Sequence, residues 1–140
     1  ARAIPTSRRT AGRLAGGRPV VRLLSAPFAR AEKGRMPKAP AIAAQKALAQ
    51  AGRRADELKA VTTHNPFAVN DLWLHRETSI PLERMNPLGC SLIYGHPQAP
   101  TGLRAIAELA QALAMAGGGV GLFTGCAAGD MGAAVVVEVA

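Results

Sequence analysis

Apolar residues recur along the chain in two periods, and changes of period mark where elements begin and end. Pro19–Ala26, PVVRLLSA, is β-branched and apolar and reads as a strand. Ala41–Ala51, AIAAQKALAQA, is rich in the strongest helix former, with apolar positions three and four apart, and Gly52 ends it. Leu58–Thr63, LKAVTT, is a second strand after a short turn begun by Asp56. Phe67–Glu77 has helical spacing, with Phe67, Leu72 and Trp73 expected toward the core. Thr101 stands where it would cap a long helix, Gly102–Met115, stopped by Gly117-Gly118-Gly119. Two apolar strands, Val120–Thr124 and Ala133–Val139, close the chain as a hairpin-like pair around a loop carrying Cys126. Ala31–Pro40 holds a glycine and two prolines and reads as loop, as does most of Pro81–Gly95. At the start, Thr6 or Ser7 caps a short helix through Leu14, ended by Gly16-Gly17. No internal repeat is visible.

The resulting order, β-α-β-α-α-β-β, predicts an α/β layer architecture. Its strands are apolar over most of their length, which predicts a sheet covered on both faces. The chain has 140 residues, enough for one domain with a real core. With 49% apolar and 19% charged residues it reads as globular. Aromatics are only 4%, so Ala, Gly and Val must fill a close-packed interior. No apolar run reaches the roughly 18 residues of a membrane span. The first residue is alanine, which suggests a processed chain or a piece of a larger one.

The net charge is +8 and uneven: ten of the seventeen Lys and Arg lie at or before Lys38, with Glu32 the only acid there. Nucleic-acid binding, a phosphate-rich cofactor, a transit peptide and a solvated basic surface all fit that bias. No aromatic residues are interleaved for base stacking, which weakens the first. Arg30, Lys33, Arg35 and Lys38 are the basic residues that would approach a phosphate, though a solvated face explains them nearly as well.

Three loops carry candidate chemistry. Thr63-His64-Asn65-Pro66-Phe67 follows a strand and opens a helix, so its polar groups either face a ligand or cap the helix. Gly95-His96-Pro97 follows the turn formers Asn86-Pro87-Leu88-Gly89-Cys90. Its histidine is either a base, with a pKa near neutrality, or a hydrogen-bonded structural group. In Phe123–Gly132, FTGCAAGDMG, Cys126 sits among small residues where a substrate and backbone N–H groups could approach it. The alternative is a small buried hydrophobe. His75, between helix-surface charges, reads as a surface residue. The two cysteines make no CxxC and no zinc pattern. They could pair with each other, but in a cytosolic chain both stay reduced.

Taken in order, H-N-P-F, then N-P-x-G-x4-Y-G-H-P-x3-T-G, then G-C-A-A-G-D-M-G before a terminal strand, the motifs resemble the C-terminal half of the thiolase family across essentially the whole chain. The resemblance implies a thiolase-like C-terminal domain over residues 1–140: a linker and first helix at 1–17, then a βαβαβ core with the catalytic loops at 18–140. The core would be a mixed sheet with helices on both faces. The resemblance also implies Claisen condensation or thiolysis of 3-ketoacyl-CoA, with a coenzyme A thioester as substrate and no permanently bound cofactor or metal. His96 would activate the nucleophilic cysteine and polarise the thioester oxygen. Cys126 would move the proton at the acetyl α-carbon. His64 would help build an oxyanion hole, with Asn65, Gly95, Ala128 and Gly129 supporting the loops.

The chain departs from the family at Asn65, where a glutamate is common, at Ala128, where a glycine is common, and at Cys90, where a glycine is usual. Cys90 lies in a structural turn and is not expected to be the nucleophile. The nucleophilic cysteine of a thiolase belongs to the N-terminal half, which this chain lacks. The expected partner is therefore that half, as a subunit or the rest of a longer chain, in a cytoplasmic homo- or hetero-oligomer without nucleic acid or membrane span. Two rival readings are a thiolase-like protein with a retro-aldol or lipid-carrier role, and a non-catalytic basic binding module.

Overall fold

Why the strands end where they do follows largely from prolines and glycines in a computed structural model that describes residues 6–140. The first five residues of the expected 1–17 linker and helix lie outside it. Helix α1 spans Arg8–Ala15; the Ser7 side chain accepts from the Thr10 N–H at its start and left-handed Gly16 ends it. Strand β1 (Val21–Ser25) pairs antiparallel with the last strand. Pro27 has no N–H to give to a ladder, and the pairing breaks there. It resumes as β2 (Phe28–Arg30), which the apolar pattern does not predict, on the same neighbour.

Helix α2 (Ala39–Ala51) begins two residues before its expected start, with Pro40 in the first turn where a missing N–H costs nothing. Strand β3 (Leu58–His64) follows. Helix α3 (Ala68–Thr78), a single turn α4 (Ser91–Tyr94) and the long α5 (Ala99–Met115) form the crossover to β4 (Gly119–Ala127). Strand β5 (Met131–Val139) returns antiparallel. The sheet order is β1-β5-β4-β3, with β2 beside β5; only β3 and β4 run parallel, so the sheet is mixed. Its free β3 edge is shielded: the Asn86 N–H donates to the Val61 carbonyl at 2.7 Å and Arg84 Nη1 to the Leu58 carbonyl at 3.2 Å.

Alternation along β4 and β5 sends Leu122, Ala134 and Val136 to the α2–α3 face, and Phe123, Val137 and Val139 to the α5 face. Helices therefore cover both faces. On the first, four alanines of α2 (Ala39, Ala43, Ala44, Ala47) are fully buried, so helix and sheet approach closely. On the second, Leu109 and Leu113 are fully buried; each contributes about 1.5–3 kcal/mol of burial.

Three expectations are corrected. Phe67 and Leu72 do not face the core; they are 56% and 54% exposed, while Leu74 is the buried apolar residue of α3 and Trp73 is half-buried. Helix α3 has no clean apolar stripe, and its inner face is set by the polar Asn70 together with Leu74, four residues on. Thr101 does not cap α5 but lies buried inside its first turn. Cys126 does not sit in a loop: the β4–β5 ladder runs on through Cys126–Gly132 and Ala127–Met131, leaving only Ala128-Gly129-Asp130 as the turn.

Candidate active site

The parallel β3–β4 pair places His64 directly beside Gly125, one residue before Cys126. A side chain on Gly125 would crowd the His64 Cβ at 3.2 Å, so the small residue lets β3 deliver its histidine next to the thiol. The third group comes from the α4–α5 connection. Gly95 ends α4, Gln98 takes φ 62 and ψ −105, and the tight turn puts the His96 ring against His64, with centroids 4.2 Å apart. Such a backbone costs about 1–3 kcal/mol for a residue with a side chain and persists only where the surroundings impose it. His64, His96, Cys126, Gln98, Thr101 and Ala128 line one cavity of about 550 Å³, together with the apolar Phe28, Phe123 and Met131.

Each of the three candidate groups has its own holder. His96 Nδ1 lies 2.9 Å from Thr101 Oγ1, inside the first turn of α5, which leaves Nε2 free. His64 Nδ1 lies 3.0 Å from Ser91 Oγ. Asn70 Nδ2 donates to Cys126 Sγ at 3.6 Å, while its Oδ1 accepts from the Phe67 N–H. Asn70, Ser91 and Thr101 are all buried, and sequence reasoning missed their contacts with the candidate residues. Only the polarity of Asn70 on an inward helix position could have drawn attention to it.

Burial lowers the pKa of His64 to about 4, helped by the charges of His96 and Arg104, so the ring is neutral at physiological pH. Burial pushes the Cys126 thiol up, partly opposed by the Asn70 N–H, so the resting group is a thiol. Both cysteines are free, and Cys90 is buried at the start of α4. His75 is exposed, as expected of a surface residue, with Nδ1 at 2.8 Å from the Ile80 carbonyl.

The residues read as loop support take different places. Ala128 is on the cavity wall. Asn65 is buried and off the wall, donating to Asp71 and accepting from the Ser91 N–H at 3.1 Å, so it ties the two histidine-bearing segments together. Asp71 also accepts from Thr63 Oγ1 at 2.6 Å and from Asn86 Nδ2 at 3.3 Å. Gly95 terminates α4 and Gly129 forms the hairpin turn; neither is on the wall. Asp130 locks that turn by accepting the Gly34 N–H at 3.1 Å. Among the described residues no three His, Cys, Asp or Glu side chains gather as metal ligands would. No described helix is long and apolar enough to cross a membrane.

Residues 18–139 match the thiolase C-terminal domain family. The chain belongs to the thiolase family. It is 38% identical to the 3-ketoacyl-CoA thiolase of Shewanella loihica and 37% to that of Shewanella amazonensis; each alignment covers 71% of this chain and 27% of the relative. The chain thus spans about a quarter of the length of these thiolases. Human mitochondrial 3-ketoacyl-CoA thiolase in complex with CoA superposes with a TM-score of 0.82 at 25% identity, over 86% of this chain and 30% of the human one. The peroxisomal 3-ketoacyl-CoA thiolase of Saccharomyces cerevisiae, a five-layered α-β-α-β-α structure of two core domains of identical topology, shares the fold. Its TM-score is 0.74 at 24% identity, over 84% of this chain and 34% of the yeast one.

Proposed function

We propose that this thiolase domain is the acid/base and oxyanion-stabilising part of an enzyme that condenses or thiolytically cleaves CoA thioesters, completed by an N-terminal half that supplies the nucleophilic cysteine. The observation that carries this is the convergence of His64, His96 and Cys126, from three distant segments, on one cavity. In thiolysis, His96 Nε2 takes a proton as the partner's cysteine thiol attacks the ketone carbon of a 3-ketoacyl-CoA. The C–C bond then breaks, its electrons pass to the acetyl-CoA enolate, and Cys126 donates its proton to that α-carbon, leaving the acyl group as a thioester on the partner's cysteine. A resting thiol is the form this step requires, and the Asn70 N–H stabilises the thiolate it leaves. A CoA thiol then attacks that thioester, giving its proton to the Cys126 thiolate, and the released cysteine takes back the proton held by His96. Neutral His64 holds the developing negative oxygen by hydrogen bond. Condensation is the same path reversed, with Cys126 as base.

The exposed apolar surface supports the need for a second half. Val21 and Leu23 on β1 stand opposite Val139 and Val137, whose side chains face α5, yet Leu23 is 66% exposed. Helix α5 covers only part of that face, and Leu103 points outward from it. Two three-layered α-β-α domains make five layers only if they share one helical layer, and the half-covered α5 side fits that role.

The test is acetoacetyl-CoA thiolysis by the assembled enzyme. Cys126→Ala and His96→Ala should each abolish turnover while leaving assembly intact; turnover that survives either change refutes the reading. Turnover-independent binding that falls steeply with salt would instead favour the basic binding module.

A further inference from the structure

His64 can serve as a hydrogen-bond donor only if the proton of its neutral ring sits on the nitrogen that is free to face the cavity. Its Nδ1 is committed to Ser91 Oγ at 3.0 Å, and both residues are more than nine-tenths buried. A hydroxyl carries one proton and two acceptor lone pairs, so the direction of this bond depends on what else touches the oxygen. Arg104 Nη2 does, at 3.5 Å, and a guanidinium can only donate. Arg104 is itself fixed: Nη1 lies 2.9 and 3.2 Å from the Glu108 carboxylate oxygens, and the guanidinium sits 5.3 Å over the Tyr94 ring. Its positive field turns the serine oxygen toward it and the serine proton away. The histidine nitrogen is the one other partner of that hydroxyl among the described residues, so Ser91 donates and Nδ1 accepts.

We infer that Arg104 and Ser91 are positioning residues that fix His64 as the Nε2–H tautomer, so that it presents a donor to the cavity. This rests on the reading of His64 as an oxyanion stabiliser, and adds how that role is set. The opposite tautomer would give Ser91 Oγ two donors and leave its own proton without an acceptor in a buried site. The other charged and titratable groups nearby fit a neutral ring. His96 lies against it, Cys126 lies on the neighbouring strand β4 as a thiol, and the Asp71 carboxylate is occupied by Thr63, Asn65 and Asn86. Burial, with Arg104 and His96 adding to it, keeps the ring unprotonated well below neutral pH.

The chain holds three histidines, one of which is an internal standard. His75 Nδ1 faces the Ile80 carbonyl, which can only accept, so His75 must be the Nδ1–H tautomer. Long-range proton–nitrogen correlation spectra of the ¹⁵N-labelled chain at neutral pH, assigned with single His→Gln variants, read each ring directly. The expected result is a pure Nε2–H pattern for His64, opposite to that of His75. Ser91→Ala should collapse the separation of the two His64 nitrogen shifts toward the averaged values of free imidazole. Arg104→Met should do the same with the hydroxyl still present. A pure Nδ1–H pattern for His64, tautomer averaging in the wild-type chain, or an unchanged pattern in both folded variants overturns the inference. The spectra need no turnover, so a thiolase reading refuted by the assay leaves this result standing, and the reverse also holds.

Discussion

Gly132→Ala is the substitution that most directly probes how the fold holds the site. Gly132 is buried on β5, opposite Cys126 on one side and Ala29 on the other. The start of α2 rests on it: an added Cβ would lie 2.5 Å from the Ala39 carbonyl oxygen and 2.7 Å from the Pro40 nitrogen. These are backbone atoms and cannot rotate aside as a side-chain end could. Relief requires either α2 to lift from the sheet, opening contacts made by its four buried alanines, or β5 to shift. Overpacking costs about 1–3 kcal/mol, and a backbone obstacle places this change near ~3 kcal/mol. For a domain of this size that is a fall in Tm of about 10 °C.

Gly129→Ala is the comparison. Its added Cβ meets nothing within 4 Å, and its φ of +83 adds only backbone strain, about 1–2 kcal/mol. Thermal unfolding of the two variants followed by circular dichroism should therefore separate them clearly. Because Cys126 is the ladder partner of Gly132, its alkylation rate by iodoacetamide should change in the Gly132 variant. A Gly132→Ala protein that melts within about 2 °C of wild type, or no lower than Gly129→Ala, refutes the close-packing account.

Two further outcomes are expected. His64 holds its folded pKa at about 4, below its ordinary 6.5, so the unfolded chain takes up a proton first as pH falls. Its contribution to stability is intact above pH 6.5 and declines as pH drops toward 4, so Tm should fall more steeply over that window in wild type than in His64→Gln; parallel curves would count against it. Asn70→Asp keeps the acceptor that the Phe67 N–H uses but replaces the donor on Cys126 with a carboxylate oxygen. The pH profile of Cys126 alkylation should move to higher pH, and an unmoved profile in a folded variant would show that Asn70 does not govern the thiol.

How much of this was legible beforehand varies with the kind of interaction. Helix α1 was legible at both ends and α2 at its C-terminal end, because Ser7, Gly16 and Gly52 act on their nearest backbone neighbours. Strand β2 was not, because three residues after a proline carry no periodic signal and only pairing with β5 makes them a strand. Within the candidate site, His64, His96, Cys126 and Ala128 were named from motif and resemblance, and they meet at the cavity. Asn70 and Ser91 were not named: each acts on a residue more than twenty-five positions away, and nothing local records such a contact. Thr101 was given the wrong task, since a threonine before a helical run looks the same whether it caps the helix or holds a histidine.

The sequence by itself determined most of the element types, the layered α/β class and the three segments whose side chains line the cavity, because propensity, capping and apolar period act over a few residues. Only the tertiary structure decided which helix face is inner, that the thiol lies within a strand, and which buried polar groups hold each side chain of the candidate site. Those depend on parallel register between β3 and β4 and on approach distances between a helix and a sheet, quantities that exist only once distant segments pack together.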